Sequence, residues 1–176
     1  MIELAEIDDD NLAAVQAVTV SDRQRDFVGT VREALEEAAD CPEGNPWYRA
    51  VVVDGAVVGF VMLSWNVTPD PPEIIGPWFL WKLIVDQQHQ GRGIGAAVVQ
   101  AVAAIVSAEG ASELLTSFVP AEDGPAGFYA RLGFVPTGDV DVEGETIVSL
   151  ALSATPDFSS VLVWDDPHDE GSLESG

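Results

Sequence analysis

Positive charge is scarce in this sequence. Only 7 Lys plus Arg stand against 30 Asp plus Glu, for a formal net charge of −23. Such a surface repels nucleic-acid phosphate and anionic membranes, so neither is an expected partner. It attracts cationic small molecules, although acidity of this kind is also a plain solubility trait. Cysteine is nearly absent: Cys41 alone excludes an internal disulfide. No apolar run reaches the roughly 18 residues that span a bilayer. Met1-Ile2-Glu3-Leu4 lacks the basic-then-apolar order of a signal peptide. A cytoplasmic location is the default expectation. The two histidines, His89 and His168, form no cluster with metal-ligand spacing, and no metal is expected. His89 is expected to face solvent, and Cys41 lacks the neighbouring His motif of a nucleophile. With so few cations, an anionic cofactor must be held by backbone N–H groups or by one of Arg23, Arg25, Arg32, Arg49, Lys82, Arg92 and Arg131.

What is present fits one globular domain. A chain of 176 residues, 47% hydrophobic, can bury a core without staples. Ile2 to Ile7 alternates like a half-buried strand. Asp8 to Asn11 offers N-cap chemistry for a short helix through Val18. Phe27, Val31, Ala34, Leu35 and Ala38 share one face of a helix predicted over Asp26 to Ala39. Tyr48 to Val53, the turn Asp54-Gly55 and Val57 to Trp65 read as a hairpin. A Pro-rich loop runs from Asn66 to Pro77. Trp78 to Val85 is apolar enough for a strand buried on both faces. Gly93 to Glu109 is a long Ala/Val helix stopped by Gly110. Leu114 to Val119, Phe134 to Pro136 and Thr146 to Leu152 supply further strands, with a short helix from Pro125 to Leu132 between them. No internal repeat is present. The domain is expected to cover residues 1–152. Residues 153–176 form an acidic tail without Lys or Arg, expected to be largely mobile, in which Phe158 and Val161 to Trp164 make an apolar patch able to dock.

The chemistry concentrates in Val85 to Gly95. A buried strand stops, a polar turn follows, and a long helix begins. Its N-terminus aims free N–H groups and a positive dipole end at one spot. Gly91, Gly93 and Gly95 remove Cβ atoms that would keep a phosphate away, and Arg92 adds charge. The result suits a pyrophosphate. It is not a Rossmann turn, because the spacing is Gly91-x-Gly93-x-Gly95 and no acid ends the next strand. Nor is it a P-loop, which needs Gly-Lys-Ser/Thr. Glycine spacing alone also fits an ordinary strand-to-helix turn.

Gln90-Gly91-Arg92-Gly93-Ile94-Gly95 after Phe79 to Asp86 resembles the Q/R-x-x-G-x-G/A mark of the GNAT acetyltransferase superfamily. Phe128-Tyr129-Ala130-Arg131-Leu132-Gly133-Phe134 resembles that superfamily's F-Y-x-x-L-G-F segment. The resemblance covers roughly residues 2–152. Within the superfamily the chain is similar, more weakly, to bacterial spermine/spermidine acetyltransferases, through Gln24 to Val28, Glu33 to Ala38, Val58 to Met62 and Trp81 to Asp86.

The resemblance implies an α/β fold of the α+β type. Its mixed, largely antiparallel sheet has about seven strands, helices on both faces and a splayed central strand pair. It implies acetyl-CoA as co-substrate, with the pantetheine arm against the backbone of Leu83, Ile84 and Val85. The N–H groups of Gln90, Gly91, Arg92, Gly93, Ile94 and Gly95 would hold the pyrophosphate. An N–H near Leu83 or Ile84 would polarise the thioester carbonyl. Tyr129 is the candidate general acid for the leaving thiolate, and Arg131 is a candidate for the 3′-phosphate. No general base stands out among Glu33, Glu36, Glu37 and Glu73, and Lys82 sits where some relatives carry an acid. The expected activity is acetyl transfer to a small-molecule primary amine, a polyamine leading. An amino acid, an antibiotic amine, a protein N-terminus, or non-catalytic acyl-CoA binding remain alternatives. Acyl length and oligomeric state stay open, a homodimer among the arrangements.

Overall fold

The protein is seen here in a computed structural model that describes residues 1–153 and the strand residues 161–163. In chain order the elements are β1 (Ile2–Ala5), α1 (Leu12–Gln16), α2 (Asp22–Val28), α3 (Val31–Asp40), β2 (Pro46–Val53), β3 (Ala56–Ser64), β4 (Phe79–Val85), α4 (Ile94–Ala108), β5 (Glu113–Phe118), α5 (Ala126–Arg131), β6 (Val135–Val140), β7 (Thr146–Ala151) and β8 (Val161–Val163). They build one eight-stranded sheet in the order β6-β7-β5-β4-β3-β2-β1-β8. Ladders are antiparallel except β4–β5 and β1–β8. This is the mixed, largely antiparallel sheet expected from the sequence. The additional strand is β8, which lies within the segment read as a tail and pairs Ile2 to Leu4 with Val161 to Val163. Phe158, Trp164 and His168, with the rest of that segment, lie outside the described residues.

Helices cover both faces. On one face α4 and α5 bury Val98, Val102 and Tyr129 against Leu4, Val61, Leu63 and Leu80. On the other, α1 and α3 bury Val15, Val31 and Ala34 against Ala50, Phe60, Met62 and Ile84. The long helix α4 ends as its glycine predicts. Ala111 N donates to Val106 O and Gly110 N to Ser107 O, satisfying carbonyls that the helix cannot pair internally.

Two readings are corrected. The single helix over Asp26 to Ala39 is two helices. Gly29, at φ 70°, breaks the run, and Thr30 restarts it. Thr30 Oγ1 accepts from Glu33 N while Glu33 Oε2 accepts from Thr30 N, a capping box that satisfies two donors at once. Phe27 therefore belongs to α2 and not to the α3 stripe. Strand β4 is also not buried on both faces. Only Leu80 and Ile84 are fully buried along it, because the strand borders an open cleft.

Candidate active site

The cleft opens where β4 and β5 part. β4 pairs with β3 at six positions but with β5 at only two, Phe79 opposite Leu115 and Leu80 opposite Thr116. Just past that point Trp81 is an extra residue, since Lys82 lies opposite Met62 and Leu80 opposite Leu63. Such a bulge bends the strand away from its neighbour. Asp86 N donates to Val58 O at 2.8 Å. By antiparallel alternation Ile84 then bonds to β3, and the backbone groups of Leu83 and Val85 face the gap. Gln90 Nε2 donates to Val85 O at 2.9 Å, so that carbonyl is already occupied.

The gap belongs to a cavity of about 1070 Å³ that runs from the glycine-rich turn to the β6–β7 hairpin. At one end, Gly91 and Gly93 hold φ of 76° and 77°, and a Cβ added to either would meet no atom within 4 Å. Gly93 caps α4 with no side-chain hydrogen bond, which leaves the first N–H groups of the helix without a side-chain partner. Gly95 packs against Phe128, where a Cβ would come within 3.3 Å of the ring. Ile94 is buried and anchors the helix start. Arg92 stands exposed in the turn, and Arg131 lines the cavity.

Residues distant in sequence hold this turn. Asp86 Oδ2 accepts from Thr19 N at 3.0 Å and Oδ1 from Gln88 N at 3.0 Å. Burial pushes the Asp86 carboxyl up, but these hydrogen bonds and His89 outweigh it and carry it below its ordinary value. His89 is half-buried with Nδ1 3.5 Å from Asp86, a correction to the expectation that it faces solvent. Gln24 and Gln90 exchange two amide hydrogen bonds of 3.0 Å, tying α2 to the turn. Arg23 forms an ion pair with Asp123 beside them.

Tyr129 sits in the middle of the cavity wall, buried between Phe118, Phe128 and Phe134 at centroid distances of 5.8, 5.0 and 5.3 Å. Its hydroxyl lies beside the Thr116 side chain. Burial pushes the phenol up to about 12, Thr116 opposes this, and the charge of Glu145 adds to it. The proton therefore stays on Tyr129 at neutral pH.

At the far end the walls are acidic, with Glu37, Asp40, Glu73, Asp141, Glu143 and Glu145 lining the cavity. Of the earlier base candidates, Glu33 is spent on its capping box. Hydrogen bonds with Thr30 hold its carboxyl below the ordinary value. Glu37 Oε1 lies 3.2 Å from Lys82 Nζ. Arg49 is buried, stacked on Trp47 at 4.5 Å, and has no place in the cleft. Asp86 and Glu145 escape sequence reading because their partners, Thr19 and Ser117, are 67 and 28 residues away. Among the described residues, no group of three or more His, Cys, Asp and Glu side chains is arranged to hold a metal, and no helix is long and apolar enough to cross a membrane.

Comparison with known proteins agrees with this geometry. The family model described as an acetyltransferase (GNAT) domain matches residues 46–136. The spermine/spermidine N(1)-acetyltransferase of Bacillus subtilis strain 168 is 25% identical over 148 residues, covering 84% of this chain and 96% of that protein. The L-2,4-diaminobutyric acid acetyltransferase of Nocardia farcinica is 35% identical over 74 residues, 42% of this chain and 35% of that protein. The fold matches the PaiA N-acetyltransferase of Thermoplasma acidophilum in complex with coenzyme A, with a TM-score of 0.56 and 16% identity over 86% of this chain and 99% of that one. The chain belongs to the GNAT acetyltransferase family, and is an acyl-CoA-dependent N-acetyltransferase.

Proposed function

We propose that the protein transfers the acetyl group of acetyl-CoA to a primary amine of a small polycation of the polyamine class. The observation that carries this reading is the polarity of one continuous cleft. A helix N-terminus with uncapped N–H groups forms one end, where Asp123 is paired with Arg23, and six further carboxylates line the rest. The first end suits the coenzyme's pyrophosphate, held by the N–H groups of Gln90 through Gly95. The backbone of Leu83 and Val85 faces the gap that the pantetheine arm would fill, with Ile84 packing that strand to the core. The second end suits ammonium groups. The residues fit the coenzyme, which supplies the activated acyl group when bound.

Tyr129 is the proposed acid. A full proton transfer from a phenol near 12 to a thiolate of ordinary basicity is uphill by about 5 kcal/mol. Two effects reduce this. The thiolate is desolvated in the same cleft, which raises its own basicity. The amine nitrogen also becomes acidic once bonded to the acyl carbon, so Tyr129 can give its proton to sulfur and recover one from nitrogen.

A second amine class is an amino acid such as diaminobutyrate. Its carboxylate would need a cation in the cleft, where Lys82 is paired with Glu37 and Arg131 is the other Lys or Arg lining the cavity among the described residues. Similarity to the Bacillus protein supports the polyamine reading. The test is a salt series. Exposed charges are screened over about 10 Å at 0.1 M salt, so kcat/KM for spermidine should fall clearly as salt rises, and a neutral amine should show a shallower fall. Equal turnover of spermidine, a neutral amine and an amino acid, or none with spermidine, contradicts the polyamine reading and leaves acetyl transfer standing.

A further inference from the structure

One carboxylate in the cleft is held in place without being neutralised. β7 pairs with β5 so that Thr146 lies opposite Phe118, which brings the preceding residue, Glu145, to the end of β5. There Ser117 Oγ donates to Glu145 Oε2 at 2.8 Å. Strand alternation sends Ser117 and Thr116 to opposite faces of β5. Thr116 lies beside Tyr129, so Glu145 and Tyr129 flank the gap from its two sides.

The other acids of the cleft are occupied or remote. Asp141 Oδ1 accepts from Glu143 N and Glu145 N at 3.0 and 2.9 Å, building the hairpin turn, and its Oδ2 is 2.9 Å from the Ser117 hydroxyl. Glu37 is paired with Lys82, and Asp123 with Arg23. Asp40, Glu73 and Glu143 are exposed, whereas Glu145 is half-buried.

We propose that Glu145 is the proton acceptor for the amine, an inference that rests on the acetyltransferase reading above. Burial raises its carboxyl above the ordinary value, the Ser117 bond opposes this, and the neighbouring Asp141 and Glu143 raise it further. A more basic carboxylate takes a proton from an ammonium group more readily. Glu145 removes one proton from the bound ammonium. The freed nitrogen attacks the thioester carbon, the C–N bond forms and the C–S bond breaks. Tyr129 gives its proton to the departing sulfur and receives the second nitrogen proton. Glu145 then releases its proton to solvent, which balances the reaction as amide, thiol and one proton.

The test is Glu145→Gln, read as a pH profile of kcat/KM with acetyl-CoA and spermidine and with a neutral amine. The expected result with spermidine is a loss of about a hundredfold or more at neutral pH and disappearance of the acidic limb, with a much smaller loss for the neutral amine, which has no ammonium proton to give up, and an unchanged coenzyme thermal shift. The variant should still fold, since the amide replaces a charge that burial disfavours. Ser117→Ala is the second arm. It removes a bond that lowers the Glu145 carboxyl, so the acidic limb should move to higher pH. Parent-like kcat/KM in Glu145→Gln, or an acidic limb that neither substitution moves, overturns the role of Glu145. A parent protein that transfers acetyl to none of the amines overturns the acetyltransferase reading instead.

Discussion

Thr116 Oγ1 donates to the Leu80 carbonyl at 2.8 Å, across the last rung before β4 and β5 separate. The same threonine lies beside the Tyr129 hydroxyl. One buried side chain thus links the cleft's apex to the proposed acid. Thr116→Val keeps the shape and removes both contacts. The Leu80 carbonyl keeps its ladder partner across β4 and β5, so the variant loses one hydrogen bond and about 0.5–1.5 kcal/mol in urea unfolding. Acetyl transfer should fall as Tyr129 loses this polar neighbour. Unchanged stability would mean that the Thr116 bond adds nothing to the ladder bond at that carbonyl.

Gly93 tests the anion turn. Its φ of 77° is costly for a β-branched residue, but its Cβ would meet no atom within 4 Å. Gly93→Val should therefore fold with a loss of about 1–3 kcal/mol. It should also lose the rise in Tm that acetyl-CoA gives the parent by binding its native state. Parent-like coenzyme affinity in this variant would show that the pyrophosphate is held elsewhere.

Tyr129→Phe removes the proposed proton and leaves the ring among Phe118, Phe128 and Phe134. It should lower kcat by roughly tenfold to a thousandfold, the scale of lost acid catalysis, with little change in coenzyme affinity. An unchanged kcat would reduce Tyr129 to packing.

The glycine turn, the strand before it and the helix after it were legible in the sequence because each is a local pattern. So was the hairpin at Asp54-Gly55. The break at Gly29 was masked by Phe27, which continues the spacing of Val31 and Ala34 even though it sits on another helix. Thr30-x-x-Glu33 was the local signal that marks it. The open edge of β4 was missed for a different reason: apolar composition does not tell a buried strand from one that lines a cleft. Asp86 and Glu145 depend on long-range contacts to Thr19 and Ser117, which no spacing rule reaches.

Asp86 gives a pH prediction. Its carboxyl is depressed in the folded protein, so the stability it contributes is present above the ordinary carboxyl range and is lost as pH falls through the folded value. Asp86→Ala should melt below the parent at pH 7, and the difference should shrink on acidification. The coenzyme thermal shift should also weaken, because Asp86 pins the start of the turn to Thr19. A Tm difference that stays constant into acid would remove the titration from the account.

Acetyl transfer through this cleft is tested most directly by its stoichiometry. The protein is incubated with acetyl-CoA and spermidine, free thiol is followed with time, and the amine is weighed by mass spectrometry. The account predicts one thiol released for each acetyl group gained by the amine, at a rate that falls tenfold or more in Tyr129→Phe. Saturable binding of acetyl-CoA with no thiol release for spermidine or any other amine would contradict it.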